Sequence, residues 1–191
     1  MPKSLWLGGA WRLAALALVA GLLLGAAYRI TRPVIEDRQN QQMQIDLQGA
    51  VPGARYQEVE ETLLTQAAQG NTNHAIVQKL FWAYDAAEAR IGSVAFVTGQ
   101  GYGGDLDVVV GLDSAGRVLH VSVGTNHETP GIGSRATVAD YLSGYLSAPA
   151  DNPPVDALSG ATISSRAIRE CVQAAGLVDA ACTAESTQEQ S

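Results

Sequence analysis

The sequence predicts an α+β protein, in which an apolar N-terminal helix precedes one domain built on an antiparallel sheet flanked by helices. Three observations predict it. Leu13 to Ala27 is an uninterrupted apolar run. Between residues 75 and 123, segments rich in β-branched and apolar side chains alternate with turn-forming sequences. Beyond them, residues 164–175 repeat apolar residues at helical spacing. The 20 glycines and the aromatic content of 6% suit a loop-rich α+β domain better than a helical bundle.

Residues 1–30 read as a membrane segment. Leu5 to Ala27 is apolar apart from Arg12. A spanning helix needs roughly 20 apolar residues, a length reached if Arg12 snorkels toward the headgroups beside Trp6 and Trp11. A cleavable signal peptide is the other reading, with Lys3 and Arg12 as its basic start and Gly25-Ala26-Ala27 near a cut. Ala17, Gly21 and Gly25 recur every four residues, a stripe that lets another helix approach closely but is also common in any membrane helix. Lys3 and Arg12 on one side face Arg29, Arg32 and Arg38 on the other, so charge gives no orientation.

Residues 31–74 read as a helical stalk and the entry to the domain. Pro33 to Gln48 forms one helix, ended by Gly49 and Pro52-Gly53. A second is expected from Gln57 to Ala68, with Val59, Leu63 and Leu64 inward, and a loop follows over 69–73. The domain proper spans 75–180. Its expected strands are Ala75–Tyr84, Arg90–Thr98, Asp105–Leu112 and Arg117–Val123, with Asp113–Gly116 as a hairpin loop. Leu106, Val108, Val110 and Leu112 alternate, so one face of the sheet is buried. Gly99–Gly104 holds four glycines in six residues. Such a loop either admits a ligand close to the backbone or is merely flexible. A helix from about Ser164 to Ala175 puts Ile168, Cys171, Val172 and Ala175 on one face, with Gly176 as its stop. Residues 181–191 are short, polar and acidic and are expected to be a disordered tail.

Composition excludes several functions. All 19 acidic residues but only ten of the 12 basic ones lie beyond Tyr28, so that part carries about −9, against the basic face that nucleic-acid binding needs. Cys171 and Cys182 fit no zinc or iron–sulfur spacing, and His74, His120 and His127 are scattered, so no metal site is expected. A disulfide between the two cysteines is open but unsupported by the sequence. No nucleophile elbow, phosphate-binding Walker loop or dinucleotide fingerprint occurs, and no catalytic residue is assigned.

Ser159-Gly160-Ala161-Thr162, with Asp156 three residues before Ser159, carries the most chemistry. Ser164 and Ser165 continue the cluster of hydroxyls at the mouth of a helix. Hydroxyls there commonly cap the helix, and spacing alone favours that reading. The first turn nonetheless holds no acid. Its unpartnered N–H groups and the helix dipole therefore leave room for an added anion.

Asp-x-x-Ser-Gly-Ala-Thr resembles the flavinylation motif of the FMN-binding domain in the G subunit of the Rnf electron-transport complex, and in the related C subunit of the sodium-pumping NADH:quinone reductase. His127-Glu128-Thr129-Pro130-Gly131-Ile132-Gly133 and Gly101-Tyr102-Gly103-Gly104 are similar to two further motifs of that family, in the family's order. His127 and Glu128 are adjacent, whereas the family often separates them by one residue. The resemblance covers the anchor and the chain to about Leu177. It implies an FMN joined through its phosphate to the Thr162 hydroxyl. Ser159, Gly160, Ala161 and Ser164 would surround it, with Tyr102, Gly103, Glu128, Thr129 and Gly131 around the flavin. It further implies a single-pass protein of the bacterial inner membrane with its flavin domain on the periplasmic side. The other membrane and redox subunits of the Rnf complex would be its partners, and a flavin transferase would attach the cofactor. Such a protein relays electrons within a translocase that couples ferredoxin/NAD electron transfer to ion movement. A membrane-anchored flavin-binding sensory module, the equivalent subunit of the sodium-pumping reductase, and an assembly factor whose motif only caps a helix are the alternatives.

Overall fold

The computed structural model describes residues 4–189 apart from Thr72, Thr125 and His127. The expectations on Met1–Lys3 of the anchor, on His127 and on the last two residues of the tail therefore lie outside the described residues.

Helix α1 runs Ser4–Ala50. Leu13, Leu16, Leu18, Leu22, Leu23 and Leu24 are all exposed on it. Among the described residues no helix is long and apolar enough to cross a membrane. The last turns of α1 belong with the domain. Leu47, Ala50 and Val51 are buried, and the Tyr56 hydroxyl donates to the carbonyls of Leu47 and Val51.

The domain is an antiparallel meander in the order β1 (Arg55–Glu58), β2 (Ile76–Tyr84), β3 (Arg90–Gln100), β4 (Asp105–Asp113) and β5 (Val118–Val123). The Asp113 loop joins β4 to β5 as expected, with its carboxylate accepting from the Ala115 and Arg117 N–H groups. Leu106, Val108, Val110 and Leu112 are fully or almost fully buried, as their alternation requires. They meet Ile168, Cys171, Val172 and Ala175 of helix α4 (Thr162–Glu189), and each such fully buried branched side chain is worth about 1.5–3 kcal/mol.

Four expectations need correction. Residues 57–58 belong to strand β1, paired to β2, and the helix α2 begins only at Glu61 (Glu61–Ala68). Strand pairing wins there because Glu58 and Phe81 fall in register at the sheet edge. Gly176 does not stop α4, and residues 181–189 are helical rather than a disordered tail. The reason is packing: a Cβ at Gly176 would lie 2.7 Å from the Ala150 Cβ, and Val178 and Cys182 continue the buried stripe. Gly99 lies inside β3 rather than in a loop, where a Cβ would come within 2.6 Å of the Cys171 sulfur. It serves the contact between α4 and the sheet, not a ligand. Cys171 and Cys182 are buried free thiols, with burial pushing them up to about 12 and about 11 respectively.

Candidate functional site

Two glycine turns face each other across the N-terminus of α4. In Leu158–Ala161 the Ala161 N–H donates to the Leu158 carbonyl at 2.9 Å, and Gly160 takes φ +82° at the third position. In Thr129–Ile132 the Ile132 N–H donates to the Thr129 carbonyl at 3.1 Å, Pro130 is second, and Gly131 takes φ +77°. Both follow the type II pattern, which demands positive φ at the third residue and accepts proline at the second. A short 3₁₀ turn, Gly133–Ala136, continues from the second.

Between them lies a cavity of about 360 Å³ lined by Tyr102, Ile132, Gly133, Gly160, Ala161, Thr162, Ile163 and Ser164. Three segments that the sequence singled out separately, 101–104, 127–133 and 159–164, thus meet at one place. Five of the ten residues expected at the site line it: Tyr102, Gly160, Ala161, Thr162 and Ser164. Ser159, Gly103, Glu128, Thr129 and Gly131 do not. Ser159 lies at the corner of its turn, and Thr129 and Gly131 build the turn behind Ile132.

Glu128 stands behind the wall. It is only 7% exposed, and its Oε1 accepts from the Gly103 N–H at 3.3 Å. A Cβ at Gly101 would lie 2.1 Å from that Oε1, and one at Gly133 would lie 1.7 Å from Oε2. These two glycines therefore make a slot for a carboxylate, a role outside the two readings, ligand contact or flexibility, left open for the loop of Gly101. Among the described residues Oε2 has no hydrogen-bond partner, and neither does the fully buried hydroxyl of Ser164. The two orphaned groups sit on either side of Gly133, since the same Cβ would be 2.9 Å from the Ser164 oxygen. Such open buried polar atoms call for an explanation, and of these two the Ser164 hydroxyl is the one that lines the cavity.

The helix mouth divides its hydroxyls by task. The Leu158 N–H donates to Ser165 Oγ at 3.0 Å, so Ser165 holds the incoming turn. Thr162 is the first residue of α4 and is exposed, and its hydroxyl reaches only the Leu158 carbonyl, at 3.5 Å. Among the described residues that hydroxyl caps no N–H of the helix. It stands at the end where unpartnered N–H groups favour an anion, with no acidic residue in the first turn. Asp156 is exposed and lies outside the cavity, and its backbone carbonyl accepts from the Tyr141 hydroxyl. Sequence reasoning passed over Ile132 and Ile163, both about half exposed on the cavity rim, and Arg135, whose Nη1 donates to the Ser159 carbonyl at 3.4 Å. Nothing in the sequence pattern distinguishes Arg135 from any other surface cation. Among the described residues no cluster of three or more His, Cys, Asp or Glu is placed to hold a metal.

An apolar cavity of this volume, with few convergent polar groups and an anion-ready helix end, fits a flat heteroaromatic cofactor carrying a phosphate. Comparison with known proteins agrees. Residues 101–176 match the FMN-binding domain family. The chain is 25% identical over 167 residues to the G subunit of the proton-translocating ferredoxin:NAD(+) oxidoreductase complex of Clostridium ljungdahlii, covering 82% of each chain. It is 27% identical over 178 residues to the G subunit of the ion-translocating oxidoreductase complex of Erwinia tasmaniensis, covering 84% of this chain and 83% of the relative. Against the corresponding protein of Haemophilus influenzae PittEE identity rises to 32% over 112 residues, a match that spans about half of each, 50% of this chain and 53% of the relative. The crystal structure of Shewanella oneidensis NqrC superposes with a TM-score of 0.48 at 19% identity, over 57% of this chain and 61% of that one.

Proposed function

We propose, from this chain's membership of the family of G subunits of Rnf-type ion-translocating oxidoreductase complexes, that it is a membrane-anchored flavoprotein relaying electrons through an FMN held covalently at Thr162. The observation that carries the reading is the meeting of three separated motifs at one cavity, with an exposed hydroxyl at the helix end that caps no N–H among the described residues.

Each residue then has a task. The Thr162 oxygen forms the phosphoester, and the open N–H groups of α4 face the phosphate charge. Tyr102, Ile132 and Ile163 give the ring apolar surface and keep water from it. Ser164 offers a hydrogen bond to its polar edge, while Glu128, held behind the wall by the Gly103 N–H, fixes the loop that carries Tyr102. The FMN, when bound, supplies the reversible electron uptake. The protein's part is to position it and set its potential through this hydrogen bond and a low local dielectric. A tether suits a relay because it prevents loss of the cofactor outside the cell.

The exposed leucines of α1 support an anchor, and the family resemblance supports placing it in the bacterial inner membrane with the flavin domain on the periplasmic side. The other subunits of the complex would pass electrons to and from the domain, and a separate flavin transferase would load it. The test is Thr162→Ala in the native host. The parent chain is expected to run as a fluorescent band from the membrane fraction on a denaturing gel, and Thr162→Ala to show none. Retained fluorescence in the variant overturns the tether, and a parent band confined to the soluble fraction overturns the anchor.

A further inference from the structure

Arg135 extends from the 3₁₀ turn that forms one wall of the cavity toward the turn that forms the other. Its Nη1 donates to the Ser159 carbonyl at 3.4 Å and would lie 3.7 Å from a Cβ at Gly160. The guanidinium thus rests on the segment that leads into Thr162. Among the described residues Arg135 makes no ion pair, although it lines a second hollow on the same loop with Asp140 and Asp156. It is exposed, so its charge is held there by one carbonyl bond and not by a carboxylate.

We infer that Arg135 clamps the phosphate of the group tethered at Thr162, an inference that rests on the reading of Thr162 given above. A phosphoester at Thr162 Oγ1 keeps a negative charge and non-bridging oxygens that need donors. A guanidinium presents several donors in a planar fork that matches such oxygens. Glycine at 160 leaves the backbone side of that approach open, and its positive φ turns the loop so that no side chain stands under the guanidinium. The site is more than a helix end. The fully buried hydroxyl of Ser164, without a partner among the described residues, lines the cavity beside Thr162, two residues into α4. Arg135 is a positioning residue here: it fixes the tether and with it the lie of the ring. Arg166, exposed and four residues along α4 from Thr162, is the rival cation, because side chains at that spacing share a helix face.

The experiment uses the full-length protein loaded with flavin in its own host, with phosphorus NMR reading the protein-bound phosphodiester. Arg135→Gln is expected to move that resonance toward the position of a free phosphodiester. Arg135→Lys should keep most of the parent shift, because it keeps the charge, and Arg166→Gln should leave the resonance in place. An unmoved resonance in Arg135→Gln overturns the inference, as does a displacement by Arg166→Gln alone. A parent protein with no bound phosphorus resonance overturns the tether itself, and Arg135's role with it, so the two failures are told apart.

Discussion

Two carboxylates, Asp179 on α4 and Glu128 near its N-terminus, have nearly equal burial, at 6% and 7% exposure, and their company differs. Asp179 takes Arg90 Nη2 at 2.5 Å, while the other guanidinium arm bonds Thr183 on the next turn of α4 and the guanidinium stacks 5.4 Å over Trp82. That carboxylate closes the helix onto the sheet. Glu128 has one N–H at 3.3 Å and, among the described residues, an oxygen with no partner and no cation. Burial alone therefore says little about a charged group's purpose. A carboxylate with its partner in place closes the fold, and one whose second oxygen finds no partner among the described residues is held by the slot around it.

The comparison breaks first at Asp179. Asp179→Ala strands Arg90 against the sheet, and losing one partner of a buried pair costs about 3 kcal/mol. Glu128→Ala leaves only the Gly103 N–H unmet, at about 1 kcal/mol. Urea denaturation of both variants checks this, with the larger midpoint drop expected for Asp179→Ala. Equal losses would put both carboxylates in the same class.

Gly133→Ala sharpens the Glu128 side. The new methyl carbon would fall 1.7 Å from Oε2 and 2.7 Å from Cδ, so the carboxylate has to leave its slot, and the neighbouring slot wall at Gly101 gives it no second position. Overpacking of this kind costs about 1–3 kcal/mol, and flavin loading should fall with it because the displaced side chain has the cavity to move into. Adding Glu128→Ala should restore most of the lost stability, since only the milder approach to the Ser164 oxygen, at 2.9 Å, then remains. Additive losses in the double variant would show that the glycine serves the backbone and not the carboxylate.

Much of this was legible beforehand. Val- and Leu-rich alternation located the four long strands, and the Asp113 turn located a hairpin, because those patterns are local. Strand β1 was hidden: Arg-Tyr-Gln-Glu has no apolar alternation, and only its pairing to β2 makes it a strand. The run of α4 past Gly176 was hidden for the same reason, since Ala150 selects glycine there from across the fold. At the site, the three motifs announced which segments matter but not how they divide the work. Gly101 sat in a loop that looked like either a ligand wall or a flexible turn, and with Gly133 it instead houses Glu128, while Arg135 had no pattern at all to announce it.

The smallest effect is also the most specific to a carboxylate that has its partner. Burial lifts Asp179 above its ordinary value of 3.8, and Arg90 beside it pulls the other way without cancelling the rise. A group whose value is raised on folding binds its proton more tightly in the folded state. Its contribution to stability is therefore full below 3.8 and is lost as the pH climbs through the raised value. Asp179→Asn removes that titration and leaves the others in place. The stability of the parent minus that of Asp179→Asn should then fall as pH rises from about 3.8, measured by urea unfolding at a series of pH values. A difference that rises instead would mean that Arg90 outweighs burial. The ion pair closing α4 would then be a net source of stability, and the contrast with Glu128 would be wider than the geometry alone makes it.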